Sequence, residues 1–347
     1  MLNALLKEFS RKAALAYARA RQPRNYVGAT LFPATTVNEL TFEYWKSLNL
    51  LPVMASLQAY GAEAQIASRD GATKISGEIP PIKRKINLDE RMLIALKREG
   101  AGDNEMVRAQ LYNDLDNMID SVLARIEKMR TDAVAYGALA LNENGVVMSV
   151  DYGVPAGNKA ILDGDNDKDG QWDKANAEPI TKIQEWVDAV IGASGIRPTR
   201  ALTSNTVVAH MIKNAQIRKM IYGDSGGSRA VNLSMMNALL ATLDLPQIAT
   251  YDLQVRSQAE NGVVSSVRFF PATRFVLLPP DGLGQTLMGP TAEALLDTEV
   301  EAREAAGIYA VVTQETEPPM IWTKAAATSI PTFPMADAVF QAAVLAE

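Results

Sequence analysis

Cysteine is absent from the chain, and His210 is its only histidine. Without cysteine there can be no disulfide, no thiolate metal site and no cysteine nucleophile. One histidine excludes every mechanism that needs two, including most transition-metal clusters. No run of 18 apolar residues occurs either, so the sequence predicts no transmembrane helix. These absences are compatible with a reducing compartment such as a cytoplasm.

Acidic residues only slightly outnumber basic residues in the chain. The 347 residues contain 34 Lys and Arg against 40 Asp and Glu, which gives a net charge of −6. Such mild acidity argues against a surface devoted to binding nucleic acid. Apolar residues make up 48% of the chain, which is enough for a substantial hydrophobic core. At roughly 150 residues per domain, the length predicts about two domains or one elaborate one.

Residues 1–24 predict a basic amphipathic helix. Apolar residues recur at steps of three and four from Leu2 to Ala16, and six basic residues stand against Glu8. These charges interrupt the apolar core that a secretory signal needs, and Pro23 ends the helix. We expect a detachable arm that docks on another surface, with a membrane-surface helix as the alternative.

Residues 52–90 predict a long β-hairpin. Two β-leaning segments, Val53 to Ser68 and Ala72 to Leu88, flank Arg69-Asp70-Gly71, and Asp-Gly favours a tight turn between strands. Arms of about 15 residues would extend roughly 50 Å, yet they carry few large apolar side chains. Because an isolated hairpin is marginally stable, we expect a neighbouring subunit to complete it, with Arg69 and Asp70 as intersubunit contacts. An ordinary surface hairpin is the alternative.

The helical period is clearest over residues 104–141. Nine apolar positions recur at steps of three and four: Leu111, Leu115, Met118, Val122, Ile126, Met129, Ala133, Tyr136 and Ala140. The pattern predicts one helix of about 57 Å, which Asp103 or Asn104 caps and which ends at Asn142 to Gly145. A mixed body of helices and strands follows, and late strands near Met320–Ala326 and Ala338–Leu345 are expected to return to an earlier sheet.

A Gly-Asp-Ser-Gly-Gly run at residues 223–227 matches the nucleophile motif of trypsin-like serine proteases. A serine nucleophile needs a histidine base and an acid that orients it. His210 lies only 15 residues before Ser225, which leaves no room for the barrel of that family. We therefore interpret the run as a flexible loop.

Four acidic residues match positions 1, 3, 5 and 9 of a calcium-binding loop: Asp165, Asp167, Asp169 and Asp173. Gly170 stands at position 6, as such a loop requires. Position 12, which should be a bidentate Glu, is Asn176. The motif is therefore half present, and it leaves two readings: a solvated acidic loop, which we favour, or a weak Ca²⁺ site.

A basic cluster, Lys83, Arg84 and Lys85, lies in the return arm of the predicted hairpin. Nucleic-acid binding is weakly supported, because no stacking aromatic residues flank the cluster. We expect these residues to pair across a subunit boundary with the acidic stretch Glu293 to Glu304. Within that stretch, Glu299 and Glu301 are the candidate partners.

The order of these parts resembles the major capsid proteins of tailed phages, and the local wording resembles the lambda-like major capsid protein E family. Five segments carry the resemblance: LFPATTVNELTFEYWK, RDGATKISGEIPPIKRKINLDE, RPTRALTSNTVVAHMIKN, FFPATRFVLLPPDGLGQTLMGPTAEAL and KAAATSIPTFPMADAVFQAAV. Each motif is loose, and the specificity lies in their order along nearly the whole chain. The acidic loop 163–173 has no counterpart in the family pattern.

The resemblance implies an α+β protein with the Hong Kong 97-type capsid fold. Its parts would be an N-terminal arm (1–30), a connecting segment (31–51), an E-loop hairpin (52–90), a P-domain with the spine helix (91–150), a mostly A-domain region (151–315) and C-terminal strands (316–347). The resemblance also implies a structural shell subunit with no catalytic residues and no cofactor.

The expected partners are copies of the chain itself in hexamers and pentamers, a scaffold protein, a portal, a decoration protein, and packaged double-stranded DNA bound without sequence specificity. No membrane partner is expected. The implied location is the virion, with assembly in the host bacterial cytoplasm. Two other classes stay open at this point: a soluble α/β enzyme and a Ca²⁺-dependent binding module.

Overall fold

The computed structural model describes residues 11–20, 24–47, 54–61, 63, 72–91, 94, 103–163, 170–223, 229–258, 262–296 and 307–346. The chain forms two compact units. The first comprises Met1–Phe42, Gly77–Arg130 and Gln285–Thr332, and the second comprises Glu43–Ser76, Thr131–Gly284 and Phe333–Glu347. Both units are assembled from separate stretches of the chain, so neither is a contiguous domain.

The described helices are α1 Arg11–Ala20, α2 Val27–Leu31, α3 Asp103–Tyr136, α4 Pro179–Ser194, α5 Asn205–Met211, α6 Ala215–Tyr222, α7 Leu233–Thr242 and α8 Ala292–Leu295. The described strands are β1 Ala34–Thr36, β2 Thr41–Ser47, β3 Ala72–Glu78, β4 Pro81–Leu88, β5 Ala138–Glu143, β6 Val146–Asp151, β7 Lys159–Ile161, β8 Arg200–Thr203, β9 Gln247–Thr250, β10 Gln254–Gln258, β11 Val264–Arg268, β12 Arg274–Leu278, β13 Gln285–Gly289, β14 Ile308–Thr316, β15 Pro319–Thr332 and β16 Phe340–Ala343. Short 3₁₀ turns lie at Ala156–Asn158 and Ala336–Ala338.

The first unit is built around the long strand β15. Strand β14 pairs antiparallel with its first nine residues, and β4 pairs antiparallel with Ile321–Thr328. Because β4 and β14 pair with the same residues, they flank β15 on opposite edges. Strand β13 pairs with the last part of β15, and β1 lies parallel to β13. The result is a five-stranded sheet whose central strand is mostly buried.

Helix α3 begins at Asp103, one residue before the predicted start, so Asp103 and Asn104 both lie inside the helix. It ends at Tyr136, five residues before the predicted end, because Gly137 adopts a positive φ of 65°, which is the common way for a helix to stop. The last apolar position, Ala140, belongs instead to β5, which forms a hairpin with β6. Asn144 and Gly145 both have positive φ at its turn, so this Asn-Gly pair makes a hairpin rather than a helix end.

The second unit contains a mixed five-stranded sheet in the order β7-β16-β12-β8-β9. Apolar residues at steps of three and four from Ile180 to Val190 are typical of a helix, and α4 covers this range with those side chains buried. Trp172 stacks on Trp186, and Trp186 stacks on Phe340. This aromatic stack, together with Phe275 beside it, forms the centre of the core of the unit.

The predicted hairpin over residues 52–90 differs from the structure. Residues 54–61 and 63 of the outgoing arm form no strand. The return arm is two strands, of which β3 pairs with β2, and β4 pairs with β15. The break falls at Ile79 and Pro80, because a proline has no amide hydrogen to continue a ladder.

Candidate assembly surfaces

Residues 54–61 present apolar side chains to solvent. Met54, Leu57 and Tyr60 expose 91%, 101% and 110% of their reference areas, so none of them is covered by its own chain. Exposed large apolar side chains grouped in one short segment are typical of a protein–protein contact. The sequence places these three residues three positions apart, but the small residues around them make the pattern easy to overlook.

The strand that precedes this segment, β2, is anchored in the second unit by alternate residues. Lys46 is buried, and its Nζ lies 2.7 Å from Asp337 Oδ1. The same Nζ donates a hydrogen bond to Gly153 O. Because each partner of a buried ion pair needs the other, these contacts fix the strand firmly. Trp45 points to the other face of the strand, where it is 65% exposed.

Tyr44, two residues before Lys46 on the same face, strengthens the anchor. Its hydroxyl accepts a hydrogen bond from Phe333 N at 3.3 Å. Burial raises the pKa of Tyr44 to about 12, and the bond from Phe333 opposes only part of this shift. Tyr44 is therefore a neutral, packed side chain at neutral pH.

The predicted basic cluster lies on β4, where Lys83, Arg84 and Lys85 are all exposed. Lys83 Nζ lies 2.8 Å from Glu293 Oε1, and Lys324 Nζ lies 2.8 Å from the same oxygen. The predicted acidic stretch is thus the right partner for Lys83, but the pair forms within one chain. The register of β4 on β15 places Lys83 beside Glu293 within the chain, and the pair across a subunit boundary stays a prediction.

Glu293 lies in the first turn of α8 and receives both lysines. Burial by itself would raise the pKa of Glu293, but the hydrogen bonds from Lys324 and Lys83 outweigh it and lower the pKa to about 2. The carboxylate therefore stays ionised at neutral pH and joins β4 to β15.

Lys85 makes a different contact. Its Nζ lies 4.2 Å from the centre of the Trp322 ring, a distance at which a cation is attracted to the face of an indole. Within the described part of the chain, no carboxylate lies within ion-pair distance of Lys85. Lys83 therefore has an ion-pair partner within the chain, whereas Lys85 contacts the face of an aromatic ring.

The N-terminal helix α1 packs on its own subunit, so the expectation of a detachable arm is wrong for Arg11–Ala20. Leu15 is buried in an apolar cluster with Ala294, Tyr309 and Val311. Tyr17 donates a hydrogen bond to Asp116 Oδ2 at 3.2 Å. The amphipathic pattern correctly indicates that one face is covered, but it does not indicate by which surface.

A buried polar network fixes the next helix, α2, on α3. Gly28 N donates a hydrogen bond to Glu127 Oε1 at 2.8 Å, and Glu127 is fully buried. Arg130 Nε donates to Thr286 Oγ1 at 2.7 Å, and Thr286 Oγ1 donates to Phe32 O at 2.9 Å. No sequence motif indicates this network, since its members are far apart in the chain.

Several predicted residues lie outside the described part of the chain: Arg69, Asp70, Asp165, Asp167, Asp169, Ser225, Glu299 and Glu301. Asp173 is described, and its Oδ2 lies 3.6 Å from Lys174 Nζ. Among the described residues, no group of three or more acidic or histidine side chains could hold a metal ion. None of the helices in the described ranges is long and apolar enough to span a bilayer.

The hairpin that joins β14 to β15 carries two carboxylates that the sequence analysis missed. Residues 313–319 are all exposed, and Glu315 and Glu317 lie among them. The signal that could have revealed them is the pair Pro318-Pro319, which marks a turn between two β-leaning runs.

Comparisons with known proteins agree with this fold. Residues 14–344 match the sequence profile of the family described as phage major capsid protein E. The chain is similar to a protein of an E. coli CFT073 prophage that is assigned as its capsid protein, with a TM-score of 0.61 and 15% identity over 96% of this chain and 97% of that one. It is also similar to a phage-related protein from Bordetella bronchiseptica RB50, with a TM-score of 0.54 and 13% identity over 95% and 96% of the two chains. A comparison with curated proteins finds no match.

The structural similarity confirms the predicted Hong Kong 97-type fold. The profile covers nearly the whole chain and confirms the resemblance that the sequence motifs carry. Its members are structural proteins rather than enzymes, which removes the enzyme alternative. The chain therefore belongs to the phage major capsid protein E family and is a structural subunit of a phage capsid.

Proposed function

We propose that copies of this chain form hexamers and pentamers of an icosahedral shell around phage double-stranded DNA, and that residues 54–61 dock on a neighbouring copy. The exposed side chains of Met54, Leu57 and Tyr60 carry the proposal. Burying a Leu or Met side chain contributes about 1.5–3 kcal/mol, so three such anchors are a substantial term at a contact that every subunit repeats.

The anchoring of β2 supports this role. Lys46 and Tyr44 hold the strand to its own subunit through Asp337 and Phe333, so the segment that follows starts from a fixed point. A projecting segment with a fixed root loses less entropy on docking than a loose one, which favours a repeated and uniform contact. Closed shells need such repeated contacts, since every subunit uses the same patches.

The proposal divides the chain into the parts that the family pattern implies. In this proposal residues 1–30 are the N-terminal arm, 31–51 a connecting segment, 52–90 the E-loop region, 91–150 the P-domain, 151–315 mostly the A-domain and 316–347 the C-terminal strands. A scaffold protein, a portal and a decoration protein are the further partners. Assembly takes place in the host bacterial cytoplasm, and the DNA contact is without sequence specificity.

Replacing the three apolar anchors tests the proposal. The variant M54S/L57S/Y60S should stay folded by circular dichroism and should fail to form shells in sedimentation velocity. A matched control, V147S/V263S/V264S, removes three exposed apolar side chains at two other hairpins and should assemble like the wild type. Normal shell formation by the first variant would overturn the proposed role of residues 54–61.

A further inference from the structure

The tip of the β14–β15 hairpin is an acidic feature for which the described part of the chain supplies no basic partner. Glu315 and Glu317 are exposed, and no lysine or arginine of the described part lies within ion-pair distance of either. The tip also extends beyond the neighbouring strand, because β4 pairs with β15 only from Ile321 onward. Two carboxylates therefore project from the end of the sheet.

The β4 strand presents the opposite charge on the same unit. Lys85 and Lys324 are opposite one another in the register, and Lys83 lies two residues along on the same face. Lys83, Lys85 and Lys324 therefore place three ammonium groups on this face, and the Glu293 carboxylate pairs with Lys83 and Lys324. Lys85 is left on the ring of Trp322.

Lys85 and the acidic tip cannot meet within one subunit. Glu315 is opposite Met320 and Lys85 is opposite Lys324, so four residues of β15 separate them along the strand. Four residues correspond to about 13 Å, and the two intervening strand spacings add about 10 Å across the sheet. The two Cα atoms are therefore about 16 Å apart, and Glu317 lies farther out.

We propose that the acidic tip of one copy, Glu315 and Glu317, binds the basic face of β4 at Lys85 in a second copy. The inference rests on the proposed shell function and names a contact of the shell that joins two first units. The patches differ, so the contact is heterologous, and such contacts close into rings when the rotation permits. On the outer edge of β4, the described part of the chain places no strand.

The absence of cysteine from the chain makes a direct test simple. Two variants, K85C and E317C, are prepared separately, mixed, assembled and treated with a short bifunctional thiol reagent. Because each cysteine is on a different chain, any K85C–E317C dimer on a denaturing gel is intersubunit. A mixture of K213C with E317C is the control, since Lys213 is exposed on the second unit and forms no described ion pair.

The expected result is a heterodimer band that appears in shells, is at least tenfold weaker in free subunits, and is at least tenfold weaker with K213C. A charge reversal gives a second measurement, in which K85E raises the concentration needed for assembly at least tenfold and K85E/E317K restores it to within threefold of wild type. Equal bands for K85C and K213C, or normal assembly of K85E, would overturn this contact while leaving the shell function intact. Failure of the wild type to assemble would overturn both.

Discussion

Replacing Gly28 by alanine should destabilise the subunit, although alanine normally favours a helix. A Cβ atom at position 28 would lie 2.6 Å from Glu127 Oε2 and 2.8 Å from Arg130 Cβ. Both neighbours are buried and belong to the network that holds α2 on α3. They cannot move away without breaking their own contacts, so α2 must shift.

The magnitude follows from two losses. A shift of α2 breaks the 2.8 Å bond from Gly28 N to the Glu127 carboxylate, and a hydrogen bond to a charged group contributes about 1.5–3 kcal/mol. Overpacking in a core costs about 1–3 kcal/mol, and the helix propensity of alanine offsets up to about 1 kcal/mol. The expected net loss is about 3 kcal/mol, which for a chain of 347 residues that unfolds in one step corresponds to a drop of about 4 °C in Tm.

Thermal unfolding of unassembled subunits, followed by circular dichroism, measures this loss. The matched control is Gly192→Ala in α4, because no atom lies within 4 Å of the Cβ that it would add and its φ is not positive. That variant should gain about 0.5–1 kcal/mol from helix propensity alone. If G28A and G192A shift Tm in the same direction, the close packing of α2 on α3 is not a stabilising feature and the reasoning fails.

Three further predictions concern the anchors and the exposed segment. Glu293→Gln should lower the free energy of unfolding by only about 1–2 kcal/mol at pH 7, because Lys83 and Lys324 are partly exposed and water screens their charges. The pKa of Glu293 is about 2 in the folded chain and near 4.5 in the unfolded chain, so the difference in stability from wild type should be full above pH 4.5 and vanish as the pH falls towards 2. Urea titrations at pH 7, 4 and 2.5 measure this difference, and a constant difference at all three pH values would refute the prediction. Lys46→Met should lower the free energy of unfolding by about 3–5 kcal/mol, because it leaves the Asp337 carboxylate buried without its partner. Equilibrium unfolding measures this loss, and K46M/D337N should recover part of it. A loss below 1 kcal/mol for K46M would contradict the prediction. Chymotrypsin should cleave free subunits after Tyr60 or Leu57, which are fully exposed, and should cleave assembled shells much more slowly; mass spectrometry of the fragments gives the sites, and equal rates in both states would count against docking of this segment.

Periodic patterns predict the long elements of this chain well. Most of α3 and nearly the whole range of α4 follow from apolar spacing, and Pro179 lies at the first helical position of α4. The end of α3 does not, because the apolar repeat continues into β5 while a single glycine, Gly137, stops the helix. Apolar spacing alone cannot distinguish the continuation of a helix from a following strand whose apolar residue happens to fall at a helical step.

Long-range register accounts for the other differences. The sequence indicates that Lys83 suits an acidic partner near Glu293, but only the pairing of β4 with β15 shows that the partner belongs to the same chain. The Asp70-Gly71 signal predicts a hairpin from local turn chemistry, whereas β3 pairs with β2 and β4 with β15. The Gly28–Glu127 bond spans 99 residues, a separation at which no local pattern carries information.

Electron cryomicroscopy of the purified wild-type protein tests the central claim, that this chain is a capsid subunit whose residues 54–61 dock on a neighbouring copy. The account predicts closed shells of many copies, with Met54, Leu57 and Tyr60 buried against an adjacent subunit. Monomers alone, at every concentration and with a scaffold protein present, would contradict the claim, as would shells in which these three side chains stay exposed to solvent.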